Sequence, residues 1–257
     1  MAHGERLGAM AEVSRGEPAL SRREAESGRR EAGLSQGEPV LEARSLYRFF
    51  RAGDEETLAL QGVSLSLSAG EFVAVSGPSG SGKSTLLACL AGLDDPDGGT
   101  VRILGERLSH RPEPERARLR SRRIGVLMQT GNLLAHLTLA QHIVLCRRLA
   151  GRPQRRRSSV KELLASVGLA DHEHAYPGRL SGGEAARAGL AVALANDPAV
   201  LLADEPTGEL DTATELQILA LLEERRSRGR AVLVASHSPA VTAAAGRVLK
   251  LRDGKAI

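Results

Sequence analysis

The sequence predicts an α/β fold: a sheet core interrupted by a helical block. Three observations carry this. Strand-like apolar runs alternate with helical runs at both ends of the chain. From about Thr130 to Leu180 the pattern is helical only, in "LTLAQHIVLCRRLAG" and "SSVKELLASVGLADH", split by the Gly-, Pro- and Arg-rich "AGRPQRRRSS". A glycine-rich segment, "GPSGSGKST", lies between a strand-like run and a helical run.

Taken in order, residues 1–40 read as a disordered tail, rich in Glu, Arg, Gly and Ser and too poor in large apolar residues to offset their ordering entropy. "VLEARSLYRFF" opens the body as a strand near Val40, and "LALQGVSLSLSAGEFVAVSG" gives two more around the turn "SAGE". "KSTLLACLAGL" is a helix, stopped by "DDPDGG". "TVRILGERL" is a strand and turn, "RPEPERARLRSRR" a surface helix and "RIGVLMQ" a strand. After the helical block, "EAARAGLAVALAN" is a helix that follows a Gly-Gly stretch. "PAVLLADEP" is a buried strand, "ATELQILALLEERRSRG" an amphipathic helix, "RAVLVASH" another strand, and "RVLKLRDGK" closes with a hairpin-like turn.

Composition limits the function classes. The 257 residues suit one large α/β domain or a core with a subdomain, and a 42% apolar share supplies a sizeable core. Aromatics are 2% of the chain and Trp is absent, which argues against stacking platforms for single-stranded nucleic acid, so no nucleic-acid partner is expected. The net charge of +4 comes from an Arg excess, readable as solvated surface or as attraction to an anionic partner or membrane face. The basic runs "RARLRSRR" and "RPQRRRSS" carry the same two readings. Only Lys83, Lys161, Lys250 and Lys255 are lysine, so a lysine at a chemically loaded position is informative. Cys89 and Cys146 lack metal-type spacing and read as buried, reduced thiols. No apolar run approaches 18–20 residues, so no membrane span is expected, and a cytoplasmic location is.

The segment from Gly77 to Thr85 fits the phosphate-loop pattern G-x-x-x-x-G-K-[ST]. Gly77, Pro78, Ser79, Gly80, Ser81 and Gly82 form the loop, where missing Cβ atoms let backbone N–H groups wrap a phosphate at a helix N-terminus. Lys83 reaches the β- and γ-phosphates, Ser84 offers a hydroxyl to Mg²⁺, and Thr85 follows at the helix start. A dinucleotide fingerprint does not fit, since Gly80 and Gly82 lack the third glycine. In "VLLADEP" the apolar run delivers Asp204 and Glu205 to the C-terminal edge of a strand, where ligands sit in parallel sheets. Asp204 can join the Mg²⁺ shell, and Glu205 can polarise a water for attack on a γ-phosphate.

With "LSGGE" at residues 180–184 followed by "LLADEP", the chain resembles the ATP-binding cassette (ABC) ATPases from about Val40 to Ile257. The resemblance implies a P-loop NTPase core with a mostly parallel central sheet, an N-terminal antiparallel β region and an inserted α-helical subdomain of about residues 130–185. It implies ATP and Mg²⁺ as ligands, ATP hydrolysis, and two head-to-tail chains sandwiching two ATP molecules. Ser181, Gly182, Gly183 and Glu184 then meet the γ-phosphate held by the second subunit. By the same resemblance Gln129 in "LMQT" senses Mg²⁺ and water, and His237 in "VASHS" contacts the γ-phosphate. Asp211 in "GELD" crosses the dimer interface, and Phe50, or in its place Tyr47, stacks on adenine.

"LADEPTGELD", "GLDDPDGGTV" and "LRDGK" look most like the group serving lipoprotein-release, macrolide-efflux and cell-division permeases. The implied role is the ATPase subunit, by default a homodimer, of a complex with a separate membrane permease. That places it peripherally on the inner face of the membrane. The alternative is a nucleotide-gated regulatory or mechanotransmission subunit with little transport of its own. Three positions depart from the group: Glu209 stands where Asn is usual, Val192 where Arg is, and Ser238 where Asp is common.

Overall fold

The computed structural model describes residues 38–52, 55–151, 158–208 and 210–257. The expected tail lies almost wholly outside the described residues, as do most of the "RPQRRRSS" run and Glu209.

Two sheets are built in chain order. β1 (Leu41–Ala52) and β2 (Glu55–Leu67) pair antiparallel, and β4 (Gly98–Ile103) adds to the other edge of β1, with the short β5 (Glu106–Arg107) outside it. This four-stranded sheet has the order β2-β1-β4-β5. The second sheet has six strands, adding β3 (Phe72–Ser76), β6 (Ile124–Leu127), β7 (Val200–Asp204), β8 (Ala231–Ala235), β9 (Arg247–Arg252) and β10 (Lys255–Ala256), in the order β10-β9-β3-β8-β7-β6. β9, β3, β8, β7 and β6 pair in parallel, and only the terminal β9–β10 hairpin is antiparallel. Strands buried on both faces read as continuous apolar runs, and β7 and β8 are buried at every residue.

The period-two alternation of the central strands divides two cores. Val73 and Val75, Val200 and Leu202, and Ala231 and Leu233 pack with α1 (Lys83–Leu90) and the antiparallel sheet. Phe72 and Ala74, Leu201 and Ala203, and Val232 and Val234 face the other way. They meet α3 (Leu139–Leu149), α4 (Val160–Ser166), α5 (Gly182–Leu194) and α6 (Thr212–Ser227). The helical block therefore shares its core with one face of the sheet.

α2 (Glu113–Arg123) lies on the surface with no fully buried residue, as its charge pattern predicts. Three of its arginines are nevertheless committed within the chain. Arg116 pairs with Asp95 and Glu113, Arg120 with Glu113 and the Gly92 carbonyl, and Arg122 with the Ala150 carbonyl. The side chains of Arg116 and Arg120 are only 14% and 19% exposed. This run is a bracing face rather than a freely solvated one.

Two expectations are corrected. α5 begins at Gly182, so both glycines are helical, not a prelude to the helix. Ser181 supplies the cap that lets them be. Cys89 is buried, and burial pushes its thiol up to about 12, but Cys146 is only half-buried. Both are free thiols. α7 (Pro239–Ala244) completes the helices.

Candidate functional site

The phosphate loop connects β3 to α1. Gly82, the N-cap of α1, has φ 100 and no side-chain cap. A Cβ there would lie 2.4 Å from the Ala59 carbonyl oxygen, so both the backbone angle and the neighbour require glycine. Lys83 is buried, and its Nζ donates to the carbonyls of Gly77 and Pro78 at 2.8 and 2.9 Å. The ammonium is thus folded over its own loop. Ser81 is buried, its carbonyl accepting from Gly254 N–H.

At the end of β7, Asp204 is 3% exposed and its Oδ2 has no hydrogen-bond partner among the described residues. Burial pushes its carboxyl above the usual carboxylate range; the Ser84 hydroxyl pulls it back, and the charge on Glu205 raises it further. An orphaned, desolvated carboxylate oxygen beside a serine hydroxyl is a donor set that suits a hard divalent cation. Glu205 has φ 49, a left-handed backbone at a bulky residue of the kind that gathers at functional sites. Its Oε2 accepts from Ser236 Oγ at 2.9 Å and its Oε1 from His237 N–H at 3.1 Å. The His237 ring stands 3.6 Å from Oε1.

Gln129 follows β6, is exposed, and sits in a loop braced by Asn132. The Asn132 carboxamide accepts from Met128 N–H and donates to the Met128 carbonyl. α5 presses on the same loop. A Cβ on Gly189 would meet Leu127 Cδ1 at 2.8 Å and Asn132 Cβ at 3.1 Å, so the helix that begins with the Ser-Gly-Gly turn touches the loop that carries Gln129. Phe50 is 43% exposed and carries the Arg48 guanidinium 4.9 Å from its ring centre. Arg48 is in turn held by Asp94 and Asp97. Tyr47 instead has its hydroxyl 3.0 Å from where a Gly62 Cβ would be.

One open cleft of about 1040 Å³ gathers these groups. Its wall includes Phe50, Ser79, Gly80, Gly82, Lys83, Ser84, Thr85, Gln129, Asp204, Glu205 and His237. Tyr47 and Asp211 are not in the wall. Gly77, Pro78 and Ser81 of the loop are likewise absent from it. Gly182 also lines the cleft, with Ala185 and Ala186 of α5, whereas Ser181, Gly183 and Glu184 do not.

The Ser181 hydroxyl is already engaged. It accepts from Glu184 N–H at 3.3 Å and donates to Glu184 Oε2 at 2.9 Å, while Ser181 N–H donates to the same Oε2. This capping box holds the Glu184 carboxyl below its usual range, and His172 stands 3.5 Å away. Asp211 caps α6, accepting from Thr214 N–H and Oγ1. Of the three departures, Val192 packs partly buried against the helical core and Ser238 caps α7 while donating to Glu215 Oε1 at 2.6 Å.

Two participants were not singled out from sequence: Asn132, which braces the Gln129 loop, and Ser236, which donates to Glu205. A lone polar residue beside a motif gives no spacing signal, and the Ser236 bond appears only once the ends of β7 and β8 are brought together.

The ABC transporter family model matches residues 60–208. The macrolide export ATP-binding/permease protein MacB of Hyphomonas neptunium is 42% identical over 220 residues, 85% of this chain and 34% of that protein. That of Escherichia coli K12 is 41% identical over the same shares. The chain spans about a third of the length of these curated relatives. Among solved structures, the dimeric ATP-binding cassette MJ0796 in a post-hydrolysis state, bound to ADP and Pi, superposes with a TM-score of 0.79. It is 32% identical, with 84% of this chain and 96% of that one covered. Matched across its phosphate loop, signature turn and acidic strand end, the chain belongs to the ABC transporter family, as its ATPase cassette.

Proposed function

We propose that this chain binds ATP with Mg²⁺, pairs with a second copy of itself around two nucleotides, and couples hydrolysis to a membrane permease. The observation that carries this reading is the convergence of Lys83, Ser84, Gln129, Asp204, Glu205 and His237 on one cleft. Dimerisation is supported by the dimeric MJ0796 cassette, and the permease by the names of the MacB relatives, which join an ATP-binding part to a permease. Among the described residues no helix is long and apolar enough to cross a membrane, so attachment to the inner membrane face would run through that permease.

Ser84, Gln129 and Asp204 would hold the Mg²⁺. When bound, Mg²⁺ neutralises charge on the β- and γ-phosphate oxygens. Lys83 exchanges its two loop carbonyls for phosphate oxygens. Phe50 offers its exposed face to the adenine, stiffened from behind by Arg48. Glu205 takes the proton of the attacking water, and the His237 imidazole donates to the γ-phosphate. Gly182 and Gly183 of one copy direct helix N-terminal amides at the γ-phosphate in the other, with Asp211 beside them across the interface.

Glu205→Gln tests the reading. Turnover should fall roughly 10²–10⁴-fold, the usual share of a general base, while ATP affinity persists. Unchanged turnover in a steady-state phosphate-release assay removes Glu205 from the role.

A further inference from the structure

The segment between β8 and α7 contributes more than His237. Ser236, just before it, is 2% exposed. Its N–H donates to the Val75 carbonyl at 3.1 Å, and its Oγ accepts from Ser238 N–H at 3.1 Å. That leaves the hydroxyl proton, which is donated to Glu205 Oε2 at 2.9 Å. A serine that merely closed this turn would need only its lone pair. Here the proton goes to the carboxylate assigned above as the general base.

The same chain of bonds continues away from the cleft. Ser238 Oγ donates to Glu215 Oε1 and accepts from Ala240 and Val241 N–H. Glu215 lies in the first turn of α6, whose cap is Asp211. Ser236 is therefore itself held in place, at the centre of a line running from Glu205 to the start of α6. On its other side Glu205 is anchored by its backbone, its N–H donating to the Ala235 carbonyl at 2.9 Å.

We infer that Ser236 is a positioning residue for Glu205: its hydroxyl holds Oε2 and so presents Oε1, on the His237 side, to the attacking water. The inference rests on Glu205 being the general base. Without the hydroxyl, the hydrogen bond left to the carboxylate among the described residues is the His237 N–H, at 3.1 Å from Oε1 and 3.4 Å from Oε2. The group can then turn about its last bond and lose the geometry that proton abstraction needs.

The test is steady-state ATP hydrolysis by Ser236→Ala, Ser236→Cys and Ser236→Thr, with ATP affinity and thermal midpoint measured on each. Alanine removes the hydroxyl, cysteine keeps the volume with only a weak donor, and threonine keeps the hydroxyl. We expect kcat to fall about tenfold for Ala and Cys, the scale of one hydrogen bond to a charged group. KM and ATP affinity should stay within about twofold, and Thr should stay near the parent. Placed on Glu205→Gln, Ser236→Ala should cost nothing further, since no base remains to be positioned. Should the Ala variant fail to fold, the Cys variant decides.

A parental kcat in the Ala or Cys variant overturns the inference. So does a loss shared equally by kcat and ATP affinity, or an equal loss in the Thr variant, because each describes a packing role. If Glu205→Gln alone leaves turnover intact, the base assignment falls and takes this inference with it. If Glu205→Gln abolishes turnover while the Ser236 variants keep theirs, only the role of Ser236 falls.

Discussion

Two helices of this chain start at glycines beside the cleft, and they treat their first turns in opposite ways. α1 begins behind Gly82, a left-handed N-cap with no side-chain bond and no acidic residue in its first turn. α5 begins behind Ser181 with a complete capping box and Glu184 in its first turn. Both expose helix amides at a positive dipole end. The first leaves them to an outside anion and sets Lys83 beside them. The second carries its own carboxylate, which uses the Ser181 amide and hydroxyl, and the box leaves the Gly182 and Gly183 amides aside. Under the proposed function the α5 turn is stable before a partner's nucleotide meets it, whereas the loop before α1 leaves its amides to a nucleotide of its own.

The widest separation of the two turns comes from adding a single methyl group to each. In Gly82→Ala the new Cβ meets the Ala59 carbonyl at 2.4 Å on a φ of 100. Backbone strain and overpacking together should cost about 3 kcal/mol or more, with ATP binding lost. Gly183 lies within α5 and has no positive φ. Gly183→Ala should leave folding stability unchanged or raise it by about 0.5–1 kcal/mol. Urea unfolding of the two variants compares them directly. Equal destabilisation would mean that α5 is as strained at its start as α1.

Lys83→Ala comes next. It removes the ammonium that now bridges Gly77 and Pro78, and should weaken ATP binding by about 1.5–3 kcal/mol. Titration of a fluorescent ATP analogue reads this out. Unaltered affinity would mean that the loop amides hold the nucleotide without the lysine, and the contrast with α5 would shrink to backbone geometry.

What the sequence made legible follows from the same contrast. The phosphate loop could be read because glycine, lysine and serine at fixed spacing have few other uses, and the strand and helix around it were apolar enough to recognise. Asp204 and Glu205 were legible because an all-apolar strand has one end at the ligand edge of the sheet. The Ser-Gly-Gly turn was found, but its state was not. "SGGE" is also a capping box, and only the observed bonds show Ser181 spending its hydroxyl on Glu184. Ser236 gave no signal, because its partner Glu205 is 31 residues away in the chain and meets it only where β7 and β8 lie side by side. The arginines of α2 were visible as a charged run. Their pairing with Asp95 and with the carbonyls of Gly92 and Ala150 depends on a packing that no local pattern contains.

The smallest expected effect sharpens the comparison most. Ser181→Ala removes the cap of α5 and should lower folding stability by about 1 kcal/mol at neutral pH. The Glu184 carboxyl is held below its usual range first by the Ser181 amide and then by the Ser181 hydroxyl. A depressed carboxylate stabilises the fold above its unfolded pKa and stops doing so as pH falls through the folded one. The gap between parent and variant should therefore be full at neutral pH and narrow in acid, as the pH falls from the ordinary Glu range through the lowered value of Glu184 in the fold. Chemical unfolding at several pH values checks the sign. A gap that is constant with pH would mean that the hydroxyl caps the Glu184 amide alone and that the carboxylate is idle. The hydrolysis rate then separates capping from catalysis. If Ser181 turns its hydroxyl from Glu184 to a partner's γ-phosphate, the variant loses turnover under conditions where it is fully folded. If the capping bonds persist through the cycle, turnover survives and the two glycine amides alone meet the phosphate.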